Sequence, residues 1–407
     1  VPGLPARRAA LRMLDGVLRR GETLEQNEAA ALRGLPASDA GLARAVAAET
    51  LRWLVDFDAL IDSATRENLP DDAKSRMVLR LMLAQWLRLD TPPHAVVATA
   101  LPLLSGGPKR LAHGVFGALS KRAAELPAAP TLPESVAARW GERAGAIAAG
   151  LAEPPPLDLT LRDPSQTAEW AVALGADSLA SGHLRLSRGQ AVHDLQGYEA
   201  GAWWVQDLAA SLPARLLGEG NGRRVLDLCA APGGKTLQMA SAGWQVTALD
   251  ISAKRLKLLE ENLKRTGLSA DVIAADAFKW EPEAPFDAIL IDAPCTATGT
   301  ARRHPDVLHR IGPHQIEQMA EVQARLIERA SGWLAPGGTL VYAVCSVESE
   351  EGEAQAEKVS LAPDPIRAEE LPDGLSPTAE GRLRTDPGML PEQGGLDGFF
   401  VARWRKS

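Results

Sequence analysis

Five short apolar runs, at 224–228, 245–249, 270–273, 288–291 and 339–344, alternate with helix-patterned stretches such as 253–266 and 315–334. Strands apolar on both faces leave no side for water, so they pack as a parallel sheet covered by helices on both sides. Four aspartates sit at the ends of these runs. Asp227 lies in Val-Leu-Asp-Leu, Asp250 ends Thr-Ala-Leu-Asp, Asp276 follows Ile-Ala-Ala, and Asp292 ends Ile-Leu-Ile-Asp. Any one of them alone would read as a helix cap or turn former. Open α/β sheets bind ligands beyond the carboxyl ends of their strands, and an acid ending the second strand accepts from ribose hydroxyls. The series therefore favours a nucleoside-bearing cofactor.

The turn after the first strand narrows that choice. It reads Asp227-Leu-Cys-Ala-Ala-Pro-Gly-Gly-Lys-Thr236. Gly233 and Gly234 let backbone approach a ligand, and the small Ala230 and Ala231 clear space. The Gly-Lys-Thr ending imitates a phosphate loop, but that motif needs a glycine where Cys229 stands. Nor is it the dinucleotide Gly-x-Gly-x-x-Gly. A nucleoside cofactor without a pyrophosphate fits better than a nucleotide triphosphate.

Two more strand ends carry thiols. The fourth gives Asp292-Ala-Pro-Cys295-Thr-Ala-Thr-Gly299 and the fifth Tyr342-Ala-Val-Cys345-Ser346. Neighbouring parallel strands would bring Cys295, Cys345 and Asp292 to one crevice. Two thiols and a carboxylate can attack an electron-poor ring, protonate it and later expel the nucleophile. Cys229, beside a backbone-dominated loop, reads first as a packed thiol. Arg302, Arg303 and His304 are candidates for phosphate contacts or a solvated turn, and Trp203-Trp204 reads as core rather than as a base-stacking pair.

The rest of the chain differs in character. At 407 residues two or three domains are expected. Residues 1–125 show helical periodicity over 6–20, 38–61, 73–89 and 109–125, broken at Gly34-Leu35-Pro36, Pro70, Pro92-Pro93 and Gly106-Gly107-Pro108. A Pro- and Ala-rich stretch, 127–133, leads to a less regular region with a helix near 135–151 and a strand at 157–161. The domains expected are 1–127, 134–200 and 201–407. The net charge of −8 divides unevenly, with 17 Lys and Arg against 14 Asp and Glu in the first 130 residues. A uniformly basic nucleic-acid coat is excluded, while a local basic face is not. Three cysteines without a visible signal peptide suggest reduced thiols in the cytoplasm. The charge-free stretch 91–108 holds four prolines and His94, so no membrane span is expected.

The motifs together resemble the RNA 5-methylcytosine methyltransferases. The similarity extends to Trp204-Val-Gln-Asp-Leu-Ala-Ala210, Arg302-Arg-His-Pro-Asp306 and Asp397-Gly-Phe-Phe400, and the N-terminal part with Pro92-Pro-His-Ala-Val96 is similar to the NusB-type RNA-binding domain. The combination resembles the RsmB (Sun, Fmu) type, which methylates a cytosine of small-subunit ribosomal RNA. This implies an all-α NusB-like domain, a small middle region, and a Rossmann-like class I methyltransferase domain with a mostly parallel seven-stranded sheet and a late antiparallel strand. It implies S-adenosylmethionine in the loop Cys229, Ala230, Ala231, Pro232, Gly233, Gly234 and Lys235, with Asp250 on the ribose, Asp276 near the adenine, and Asp292 bordering both cofactor and base. It further implies Cys345 as nucleophile and Cys295 as the residue assisting release. No metal and no DNA are expected, and the protein is expected to act as a monomer on an unstacked or loop cytosine. A transfer RNA or other-site cytosine methyltransferase, and a non-catalytic NusB-like RNA-binding factor, stay open as alternatives.

Overall fold

A computed structural model describes residues 3–407, which form two compact units: 3–153 with 301–311, and 154–300 with 312–407. The first unit is built from α1 (Leu4–Arg20), α2 (Leu24–Ala31), α3 (Ala37–Arg52), α4 (Leu54–Ser63), α5 (Lys74–Arg88), α6 (Pro93–Ala100), α7 (Gly106–Lys121), α8 (Glu134–Trp140) and α9 (Ala144–Leu151). The apolar stripes of α1 to α7 meet in one core around Leu14, Val46, Phe57, Leu83 and Phe116. Local signals set many ends. Gly21 closes α1 in the left-handed region, and Thr23 with Gln26 forms a capping box on α2.

Two helix readings change. The stretch 38–61 is not one helix, because Trp53 leaves helical geometry at φ −108°. Trp53 is buried, with the Arg88 guanidinium 5.0 Å above its ring, so packing breaks the helix without glycine or proline. Gly106-Gly107-Pro108 opens α7 instead of interrupting it, since first-turn N–H groups have no helical partner to lose.

The expected border in 127–133 also moves. Thr131 donates to Asp56 through its backbone N (2.9 Å) and hydroxyl (2.6 Å). Arg52 donates to the Leu151 carbonyl at 2.8 Å, and Arg88 pairs with Glu153 at 2.7 Å. The region read as 134–200 therefore splits, its helices α8 and α9 joining the first unit. The segment 301–311 joins that unit too. Arg52 reaches the Arg302 carbonyl at 2.8 Å, and His309 the Leu51 carbonyl at 2.6 Å. Arg302 is only 1% exposed, so it is a buried element of the first unit and not a surface ligand for phosphate.

The second unit opens with β1 (Leu157–Leu161), α10 (Thr167–Leu174), β2 (His183–Leu186) and β3 (Trp203–Val205), whose strands pair antiparallel in the order β2-β1-β3. Trp203 and Trp204 are both buried, as expected of core residues. The main sheet follows: α11 (Leu208–Arg215), β4 (Arg224–Leu228), α12 (Gly234–Ser241), β5 (Gln245–Asp250), α13 (Ala253–Thr266), β6 (Asp271–Ala274) and β7 (Phe286–Asp292). After α14 (Val307–Arg310) of the first unit come α15 (Pro313–Trp333), β8 (Leu334–Val344), α16 (Glu353–Ala356), β9 (Ala362–Pro363), β10 (Leu383–Thr385) and β11 (Phe399–Arg405).

The sheet order is β10-β11-β8-β7-β4-β5-β6, with β9 on β11. Strands β4 to β8 run parallel, and β11 lies antiparallel against β8. Leu226, Leu228, Ile289 and Ile291 pack on Leu326 and Ile327 of α15, while the alternate Val225, Ala288 and Leu290 pack towards Ala214 of α11 and Met239 of α12. The sheet is thus covered on both faces, which is why its strands carry no polar alternation. The chain switches direction across the sheet at β4, and Asp250 and Asp292 end the strands on either side of it.

Candidate active site

Two strand-end carboxylates hold the turn after β4. Asp227 is buried and its Oδ2 accepts from the Thr236 hydroxyl at 2.5 Å, tying β4 to the first turn of α12. Asp250 accepts from Ala231 N (3.1 Å) on Oδ2 and from Ser252 N (2.8 Å) on Oδ1. Gly233 caps α12 at φ +111°, where a Cβ would stand 2.3 Å from Leu259 Cδ1. That position admits only glycine.

Beyond these strand ends opens a cavity of about 570 Å³. It is lined by Cys229, Ala231, Asp250, Asp276, Asp292, Cys295 and Cys345 among the residues singled out from the sequence. Ala230, Pro232, Gly233, Gly234 and Lys235 do not line it; the first four shape the turn behind it. The sequence reading missed Ile251, Arg255, Phe278, Val322 and Leu326 on the walls. Ile251 and Phe278 were findable, since they sit just past the strand ends that carry Asp250 and Asp276. Ile251 is 74% exposed, an unusual state for an apolar side chain at a cavity rim unless a ligand covers it. Carboxylate acceptors on one side and apolar walls on the other suit a nucleoside with hydroxyls and a flat base.

At the far end lie the thiols. Cys295 and Cys345 stand with their sulfurs 3.4 Å apart. The hydrogen bond to Cys345, then burial, pushes the Cys295 thiol well above its usual range, which keeps it protonated. Burial likewise pushes up the Cys229 thiol, consistent with a packed, unreactive group. Lys235 Nζ bonds Asp292 Oδ2 at 2.8 Å and lies 5.4 Å from the Phe399 ring centroid. Burial works against the charge of Lys235, but Asp292 foremost, then Asp227 and Cys345, raise its pKa, so it stays an ammonium. Gly299 explains part of the Asp397-Gly-Phe-Phe motif: Gly398 N donates to its carbonyl at 2.8 Å, and a Cβ on Gly299 would meet the Gly398 oxygen.

Asp227 also makes stability depend on pH. Burial raises its pKa from 3.8 to about 7, so between these values the folded chain holds a proton that the unfolded chain has lost. Stability should therefore fall as pH rises from 4 towards 7 through this group. Asp227→Asn, which keeps an acceptor for Thr236, should flatten that part of a thermal-denaturation series between pH 5 and 8. An unchanged slope would mean that Asp227 is ionised throughout.

A parallel sheet in this strand order, its antiparallel strand beside β8 and its crevice over the switch point, defines the Rossmann-like methyltransferases, and S-adenosylmethionine is their cofactor. The sequence matches a family model described as 16S rRNA methyltransferase RsmB/F over residues 214–405 and one of the NusB family over 4–106. It is 34% identical to ribosomal RNA small subunit methyltransferase B of Xylella fastidiosa (strain Temecula1), covering 98% of each chain. With the enzyme of that name from Pseudomonas putida it shares 34% identity over 98% of this chain and 97% of the other. The crystal structure of PH0851 superposes with a TM-score of 0.73 at 21% identity, covering 100% of this chain and 99% of that one. A methyltransferase homologue from Pyrococcus horikoshii gives 0.56 at 25% identity, covering 67% and 94%. The chain belongs to the 16S rRNA methyltransferase RsmB/F family. Among the described residues no helix is long and apolar enough to cross a membrane.

Proposed function

We propose that the protein methylates carbon 5 of one cytosine in small-subunit ribosomal RNA through a covalent bond from Cys345 to carbon 6. The observation that carries this reading is the pair of sulfurs 3.4 Å apart, at the carboxyl ends of adjacent strands and on one cavity with Asp292. Carbon 5 of cytosine is too weak a nucleophile to accept a methyl group unaided. A Cys345 thiolate adding to carbon 6, with a proton or hydrogen bond from Asp292 at ring nitrogen 3, makes carbon 5 enamine-like. S-adenosylmethionine, which Asp250, Asp276 and the cavity-lining Cys229 and Ala231 of the turn would hold, supplies the electrophilic methyl group. After transfer a base takes the carbon 5 proton, nitrogen 3 gives back its proton, and the bond from Cys345 to carbon 6 breaks, with Cys295, kept protonated, beside the departing sulfur. The target base must leave its stack to reach such a crevice, so the substrate is a single-stranded or loop cytosine.

The purified protein should transfer tritiated methyl from S-adenosylmethionine to 16S rRNA. Bisulfite sequencing of a deletion strain should show one methylcytosine missing from that RNA. A loss confined to transfer RNA would move the substrate elsewhere, and RNA binding without methyl transfer would leave a binding factor only. Asp250→Ala should lower cofactor affinity about tenfold or more, the worth of a hydrogen bond to a charged group. It also releases Ala231 N, so Asp250→Asn, which keeps one acceptor, should fall between the two. Unchanged affinity by calorimetry in both variants would remove Asp250 from the cofactor site.

A further inference from the structure

We propose that Glu351 is the positioning residue that sets the separation of the two thiols, an inference that rests on the roles given above to Cys295 and Cys345. Glu351 is fully buried in the segment after β8. Its Oε1 accepts from Thr296 N at 2.9 Å and from Gln323 Nε2 at 3.2 Å. Its Oε2 accepts from the Thr296 hydroxyl at 2.6 Å and from the Ser346 hydroxyl. Thr296 directly follows Cys295, and Ser346 directly follows Cys345. One carboxylate thus grips the neighbour of each sulfur.

The surrounding bonds make the grip rigid. Gln323 of α15 also donates to the Pro294 carbonyl at 2.9 Å, and the Tyr342 hydroxyl donates to the Glu351 carbonyl at 2.6 Å. Gly299 N donates to the Cys345 carbonyl at 3.1 Å, so the two thiol loops are also joined through backbone. A buried carboxylate is a costly way to fill space, since an apolar group of the same volume needs no desolvation. Four convergent donors offset that cost, and what they fix is the distance between two loops. Glu351 does not line the cavity, so it acts through Thr296 and Ser346 and not on the substrate.

The test reads the thiols directly. In protein without RNA, diamide oxidises Cys295 and Cys345 to a disulfide and is itself reduced to the hydrazine, at a rate set by how often the sulfurs meet; mass spectrometry follows it. Glu351→Gln keeps the shape but replaces one acceptor oxygen by a donor. It should slow disulfide formation and lower kcat by about 10- to 100-fold, the usual consequence of misplacing reacting groups by an ångström. Cofactor affinity and the KM for RNA should stay unchanged. Ser346→Ala, which cuts only one arm of the grip, should give a smaller loss of both rates and covers the case in which Glu351→Gln does not fold. Disulfide formation at the native rate in the folded variants would overturn the proposal. Slowed disulfide formation in a protein whose wild type transfers no methyl group would uphold the positioning while sinking the proposed reaction.

Discussion

Cys345→Ala should abolish methyl transfer and leave no protein–RNA complex that survives denaturant, whereas Cys295→Ala should accumulate such a complex. The expectation follows from the order of bond making. Attack at carbon 6 forms the only covalent link between protein and RNA, so the variant that lacks the attacking sulfur cannot be trapped. If Cys295 serves the later expulsion, its loss leaves attack and methylation intact and blocks escape. The assignment of attack to Cys345 is the one that the resemblance to the RNA enzymes implies; the hydrogen bond to Cys345 and burial raise the Cys295 thiol, which suits a proton donor. A neutral thiol is a proton donor and a poor nucleophile. With sulfurs 3.4 Å apart, a proton on Cys295 lies within reach of the departing Cys345. Gel analysis with radiolabelled RNA separates the outcomes. An adduct in the Cys345 variant and none in the Cys295 variant would exchange the two roles. Two merely buried thiols would yield neither, only the modest destabilisation of a small cavity.

The sheet was legible from the sequence because its signal is redundant. The strands are short apolar runs, four of the five end near an aspartate, and helices of ordinary length separate them, so an error in one boundary leaves the topology intact. The crevice was legible for the same reason: Asp250, Asp292, Cys295 and Cys345 stand at strand ends, and adjacency in a parallel sheet brings them together without knowledge of loops. What was not legible depends on contacts between distant segments. Trp53 breaks a helix through packing with Arg88, and nothing local announces it. Arg302, Arg303 and His304 read as candidates for phosphate contacts or a solvated turn, yet Arg52, 250 positions earlier, binds the Arg302 carbonyl. Glu351 lies in an acidic run, Glu348-Ser-Glu-Glu351, that carries no local sign of a buried role. Only the three-dimensional convergence of Thr296, Gln323 and Ser346 distinguishes it from its neighbours.

Asp292→Asn should lower kcat by about 10²- to 10⁴-fold, the usual worth of a positioned general acid. Lys235 occupies Asp292 Oδ2 at 2.8 Å, which leaves Oδ1 to meet the base, and the side chain is 30% exposed towards the crevice. Thiolate addition at carbon 6 pushes electrons into the ring and makes nitrogen 3 basic, so a proton held there lowers the barrier to attack itself. An asparagine amide preserves the shape and offers a hydrogen bond, but unlike a carboxylate that takes up a proton on Oδ1 as the base binds it has no proton to share with nitrogen 3. The effect should therefore appear before methyl transfer. In a Cys295→Ala background, where the adduct accumulates, adding Asp292→Asn should slow the appearance of adduct as much as it slows turnover in the single variant. The alternative is that Asp292 matters only by orienting the cofactor methyl group. In that case the double variant would form unmethylated adduct at the rate of Cys295→Ala alone, and S-adenosylmethionine affinity would fall instead. Equal adduct rates in the two proteins would remove Asp292 from the attack step and leave it as a wall of the crevice held in place by Lys235.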